Sequence, residues 1–77
     1  MKATIWSKKN CQYCVDAKEM LIERGYQIDE IVIGINAKKE DLLKVVPDAR
    51  TVPQIFLEDQ HIGGCDALRE HFKKTNT

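Results

Sequence analysis

Two cysteines, Cys11 and Cys14, stand three residues apart near the start of the chain. On a helix, residues at this spacing share one face, so the two sulfur atoms can form a disulfide. The alternative without function is a pair of buried cysteines at helical spacing by chance. A C-x-x-C pair directly after a predicted strand, at the start of a predicted helix, is instead typical of thiol–disulfide exchange. The spacing therefore predicts a redox-active dithiol.

The position of Cys11 favours its thiolate form. The first turn of a helix has unsatisfied N–H groups and a partial positive charge, and Lys8 and Lys9 add positive charge upstream. Cysteines in such settings have pKa values of about 3.5 to 7.5, against about 8.5 for free cysteine. A low-pKa thiolate is a better leaving group but a weaker nucleophile. We therefore expect a small thiol to release Cys11 readily from a mixed disulfide.

Zinc binding is a second chemistry open to the cysteines. Cys11, Cys14, His61 and Cys65 could supply a set of ligands, but residues 15–60 separate its two halves. Zinc sites of this type usually close much shorter loops. The dithiol is thus the favoured interpretation, and no metal is expected.

Composition and charge limit the other functions open to the chain. Its 77 residues are 43% hydrophobic and 31% charged, which predicts one globular domain over residues 1–77. Twelve basic residues balance 12 acidic ones, and this argues against binding to nucleic acid or anionic membranes. No apolar run approaches the roughly 20 residues of a membrane span. Lys8 also comes too early for a signal-peptide core, so we expect a cytoplasmic protein.

The periodicity and turn residues predict the element order β-α-β-α-β-β-α. The predicted strands are Ala3–Ser7, Gln27–Ile33, Gln54–Leu57 and Gln60–Ile62, and the predicted helices are Cys11–Arg24, Ala37–Val46 and Asp66–Lys73. Asn10 and Asn36 are expected to cap the first two helices, and Gly25 to end the first. The first two strands should be parallel, in an α/β fold with a four-stranded mixed sheet flanked by helices. The cysteine pair then lies where the first strand gives way to the first helix.

Three segments resemble the glutaredoxins, and together they extend the resemblance over nearly the whole chain: Ser7–Cys14, Arg50–Phe56 and Ile62–Leu68. The resemblance implies a thioredoxin-like fold and a glutathione-dependent oxidoreductase that reduces protein disulfides and glutathione mixed disulfides through Cys11 and Cys14. Glutathione would be the co-substrate. Its partners would be disulfide-containing or glutathionylated proteins, and the family suggests ribonucleotide reductase as one example. The protein would be a monomer.

The same resemblance implies a set of glutathione-binding residues: Lys8, Tyr13, Thr51, Val52, Pro53, Gly64, Cys65 and Asp66. In the family the matching Val–Pro bond is cis and faces the cysteines, and the Val52 backbone would pair with glutathione as an added strand. Gly64, Cys65 and Asp66 open a helix whose N–H groups suit a carboxylate. Asp66 would pair with the ammonium group of glutathione, and Lys8 would lie near its glycine carboxylate.

Gln12 stands where many dithiol glutaredoxins have proline, and it leaves the redox potential and the binding of an iron–sulfur cluster open. Two other functions remain as alternatives. One is an iron–sulfur carrier, with Cys11 and glutathione as ligands in a dimer. The other is a redoxin reduced by a flavoprotein reductase, against which the site at Gly64–Asp66 argues.

Overall fold

The predicted elements are all present, in the predicted order, in a computed structural model of the chain that describes residues 1–75. The strands are β1 (Lys2–Ser7), β2 (Gln27–Val32), β3 (Gln54–Leu57) and β4 (Gln60–Gly63), and the helices are α1 (Gln12–Glu23), α2 (Lys39–Val45) and α3 (Cys65–Thr75). Residues 76 and 77 of the predicted domain lie outside the described part. No helix within residues 1–75 is long and apolar enough to cross a membrane.

The four strands form one mixed sheet in the order β2-β1-β3-β4. β1 runs parallel to β2, with Trp6 opposite Ile31, and antiparallel to β3, with Ile5 opposite Ile55. The parallel pair is joined through α1, as a strand–helix–strand crossover requires. β3 and β4 form the predicted hairpin, and Glu58 and Asp59 both have the positive φ of a tight hairpin turn. The predicted thioredoxin-like α/β fold is confirmed.

Alternation along β1 divides the core between the two faces of the sheet. Ala3 and Ile5 pack on one face with buried residues of α1, β3 and α3: Ala17, Leu21, Ile55, Leu57, Cys65, Leu68 and Phe72. Trp6 packs on the other face with Leu42 and Val46, at α2 and its C-cap. The end of β1 is thereby packed between helices on both faces of the sheet. This fixes the position of the cysteine pair, which follows β1 at the start of α1.

Both predicted asparagine caps are wrong. Cys11 caps α1, while Asn10 adopts a left-handed conformation with φ of 56°, which asparagine tolerates better than most residues. Asn36 lies before α2, where its Oδ1 accepts the Val32 N–H at 3.1 Å instead of a helical donor. Short polar side chains bond to nearby backbone in turns as readily as at caps, so their type alone does not separate the two. The Gly25 expectation is confirmed: it follows the C-cap with φ of 80°.

Candidate active site

Cys11 and Cys14 form a disulfide at the start of α1, with their Cα atoms 5.3 Å apart. Cys11 has an extended backbone at the N-cap, and its Sγ accepts the Cys14 N–H at 3.2 Å. Cys14 is 2% exposed, whereas Cys11 remains partly exposed at the surface. Since only Cys11 is open to solvent, it is the sulfur that an incoming disulfide meets first.

In the reduced protein, we expect the pKa of Cys11 to lie below that of free cysteine, because an N-cap sulfur that accepts a backbone N–H is stabilised as a thiolate. The rate of iodoacetamide alkylation against pH, measured on Cys14→Ser, reports this pKa. The matched control is Cys65 in a Cys11→Ser, Cys14→Ser double variant: it is 5% exposed, and burial raises its pKa. A Cys11 midpoint at or above about 8.5 would refute the assignment.

A groove of about 360 Å³ lies between the Val52–Pro53 segment and the start of α3, and Tyr13, the residue directly before Cys14, is on its wall. Every residue predicted from the resemblance to bind glutathione lines it, with the exception of Lys8: Tyr13, Thr51, Val52, Pro53, Gly64, Cys65 and Asp66. The Val52–Pro53 bond is cis. Within residues 1–75, the Val52 N–H and C=O take part in no backbone hydrogen bond, so they are open to an added strand.

The start of α3 completes the groove with backbone donors and one carboxylate. The first intrahelical bond runs from the Leu68 N–H to the Gly64 carbonyl at 3.0 Å, so the N–H groups of residues 65–67 lack helical partners. Gly63, with φ of 121°, directs the chain into the helix. A larger residue there would be strained, because its Cβ would lie only 3.0 Å from the Ala67 Cβ. Asp66 is 91% exposed, and its Oδ1 accepts a hydrogen bond from Arg69 Nη1 at 3.1 Å. An ammonium group can therefore reach the carboxylate without displacing buried structure.

Lys8 lies apart from that groove. It lines a neighbouring cavity of about 230 Å³ together with Lys39, Arg50, Thr51 and Val52. Thr51 and Val52 line both cavities, so these cations border one end of the groove. Neither Lys39 nor Arg50 was predicted to lie at the site. Arg50 could have been found from its place directly before Thr51 in the Arg50–Phe56 segment, whereas nothing in the sequence around Lys39 pointed to the site.

The sequence also did not indicate a cluster of three polar side chains near the cysteines, formed by Ser7, Lys18 and Glu30. Lys18 Nζ lies 2.9 Å from Glu30 Oε2, and Ser7 Oγ donates to the same oxygen at 2.8 Å. The hydrogen bonds from Lys18 and Ser7 hold the pKa of Glu30 below its usual range. In the sequence, Glu30 looks like an ordinary polar residue of a half-buried strand, so nothing marked it as part of the site.

The alternative zinc set is not assembled. Among residues 1–75, no group of three or more His, Cys, Asp or Glu side chains is placed to hold a metal ion. His61 instead pairs with Gln54, with its Nε2 2.9 Å from Gln54 Oε1, and its ring packs against Phe56.

Known proteins resemble this chain in sequence and in fold. The family model for glutaredoxin matches residues 3–62. Glutaredoxin 3 of Escherichia coli strain K12 is 44% identical over 64 residues, covering 83% of this chain and 77% of that protein. Glutaredoxin 1 of Francisella tularensis superposes with a TM-score of 0.81 at 32% identity, over 97% of this chain and 95% of that one. A buckwheat glutaredoxin, solved as its glutathione complex, has a TM-score of 0.81 at 30% identity, over 95% and 69% of the two chains.

Proposed function

The chain belongs to the glutaredoxin family of thiol–disulfide oxidoreductases, and from this premise we propose that it uses glutathione to reduce protein disulfides and glutathione mixed disulfides. One observation carries the proposal. Tyr13, which stands between the disulfide-bonded Cys11 and Cys14, lines one groove together with Thr51–Pro53 and Gly64–Asp66. The buckwheat relative with the same fold was solved with glutathione, which supports the same ligand here.

Glutathione has one ammonium group, two carboxylates and an extended backbone, and the groove together with the neighbouring cavity would offer a partner to each. The open Val52 backbone would pair with the peptide, and the N–H groups at the start of α3 would bind the γ-glutamyl carboxylate. Asp66 would pair with the ammonium group. Lys8, with Arg50 and Lys39 nearby, would attract the glycine carboxylate at the other end. With this order of charges, the glutathione sulfur would lie between the two ends of the molecule and face Cys11.

The reaction proceeds by two thiol–disulfide exchanges. The Cys11 thiolate attacks the glutathione sulfur of the mixed disulfide, a Cys11–glutathione disulfide forms as the old S–S bond breaks, and the substrate leaves as a thiolate that takes a proton from solvent. A second glutathione thiolate then attacks the glutathione sulfur of the Cys11–glutathione disulfide, which forms glutathione disulfide and releases Cys11 again as a thiolate. With a protein disulfide, Cys14 can instead attack the mixed disulfide at Cys11, freeing the reduced protein and forming the Cys11–Cys14 disulfide, which two glutathione molecules reduce.

The proposed function is tested by the reduction of a small glutathione mixed disulfide with glutathione as electron donor. We expect steady turnover with glutathione that is lost in Cys11→Ser, and far slower reduction when NADPH and a flavoprotein thioredoxin reductase replace glutathione. Faster turnover with the flavoprotein would instead identify a redoxin of the other class. A brown, cluster-containing dimer on anaerobic purification, without turnover, would identify an iron–sulfur carrier.

A further inference from the structure

Both cysteines line a third cavity, which shares no lining residue with the groove proposed for glutathione. Its volume is about 510 Å³, and Cys11, Cys14, Lys8, Lys18 and Glu30 are among the residues that line it. In the described part of the chain, Lys8, Lys18 and Glu30 are the charged residues on its wall. Nothing in the proposed reaction uses Lys18 or Glu30.

Lys18 and Glu30 form an ion pair that a buried hydroxyl holds in place. Glu30 Oε2 accepts from Lys18 Nζ at 2.9 Å and from Ser7 Oγ at 2.8 Å. Ser7 is only 1% exposed, while the Lys18 and Glu30 side chains are about one-third exposed, at 31% and 32%. The hydroxyl at the end of β1 therefore fixes the carboxylate, and the carboxylate fixes the ammonium group. The lowered pKa of Glu30 agrees with a permanently charged pair at neutral pH.

The geometry of α1 directs this pair towards the sulfur atoms. Lys18 follows Cys14 by four residues, so both lie on the same face of the helix, one turn apart. Side chains on a helix lean towards its N-terminus, which carries Lys18 over the turn that holds Cys14. Glu30 reaches the same cavity from β2, where it lies opposite Ile5 of β1. The dithiol is thus bordered by one fixed cation and one fixed anion in addition to Lys8.

We propose that the Lys18–Glu30 pair sets the redox potential of the Cys11–Cys14 dithiol, with Lys18 favouring the reduced form and Glu30 opposing it. On reduction the disulfide accepts two electrons and one proton, and the S–S bond breaks. One sulfur becomes a thiolate, and the other takes the proton and becomes a thiol. A nearby cation stabilises the thiolate and makes the disulfide easier to reduce, and a nearby anion does the reverse. The two residues act through space on the sulfurs and need not touch the substrate.

The test is the equilibrium between the dithiol and a dithiothreitol buffer, in which one reagent molecule supplies both electrons and closes to its own cyclic disulfide. We expect Glu30→Gln to favour the reduced protein about three- to tenfold, and Lys18→Met to favour the disulfide by a similar factor. At about 30 mV per tenfold for a two-electron couple, these are shifts of about 15–30 mV in opposite directions. The double variant should return to within about twofold of the unmodified protein.

Matched controls separate this electrostatic role from a structural one. Glu70→Gln and Lys73→Met make the same charge changes in an exposed ion pair on α3, and neither should shift the equilibrium. Lys18→Arg keeps the charge and should keep the potential. If Lys18→Met does not fold, Lys18→Gln replaces it. Shifts of the same sign in the two single variants, or no shift in folded variants, would overturn the proposal. Because the reductant in this experiment is dithiothreitol, its result does not depend on whether glutathione is the natural reductant.

Discussion

Replacing Cys11 by serine is expected to reduce both deglutathionylation and protein-disulfide reduction to the uncatalysed rate, whereas Cys14→Ser should retain deglutathionylation. The reason is the different burial of the two sulfurs. Cys11 is partly exposed at the N-cap and carries the activating contacts, whereas Cys14 is 2% exposed and can attack only after Cys11 is in a mixed disulfide. In the proposed monothiol cycle, glutathione itself would release Cys11, so that cycle would not need Cys14.

The measurement is a paired assay of both variants on a glutathionylated peptide and on a protein with a dithiol-dependent disulfide. We expect Cys14→Ser to work on the first substrate at or above the original rate, because the unproductive Cys11–Cys14 closure is gone. On the second substrate its rate should drop, since the mixed disulfide then waits for external glutathione. If Cys14→Ser lost deglutathionylation as completely as Cys11→Ser does, the two sulfurs would have a shared role, such as a common metal site.

Asp66→Ala is expected to raise the KM for glutathione about tenfold while kcat and the alkylation profile of Cys11 stay nearly unchanged. The carboxylate would lose a charge-assisted contact with the glutathione ammonium group, and such contacts are worth about tenfold or more in affinity. We expect the lower end of that range. Asp66 is 91% exposed and already pairs with Arg69, so water and the guanidinium compete with the ligand.

Glu70→Ala is the matched control for this prediction. It removes the same charge one turn further along α3, where Glu70 pairs with Lys73. Both variants weaken the general field of the helix, but only Asp66→Ala removes a group from the groove. Steady-state kinetics against glutathione concentration distinguish them. An unaltered KM in Asp66→Ala would mean that Asp66 serves only the start of α3 and its ion pair with Arg69.

The order of the elements and the dithiol itself could be predicted because both depend on neighbours in the sequence. Alternation in β1, helical spacing in α1, a glycine at its end and two cysteines three residues apart are local patterns. Their physical causes act within one or two turns of chain. The same locality explains the errors at Asn10 and Asn36. An asparagine satisfies a turn as well as a cap, and only the rest of the fold decides between them.

Residue type and spacing are sufficient to predict that this chain carries a C-x-x-C dithiol at a strand–helix junction. The charged groups around the sulfurs become known only when the whole chain is folded. The parallel register of β1 and β2 brings Glu30 next to Ser7 and Lys18, and α2 brings Lys39 towards Lys8 and Arg50. Such charges are far apart along the chain and look like ordinary surface residues. Their effect depends on distance and burial, which arise only when the sheet and helices pack together.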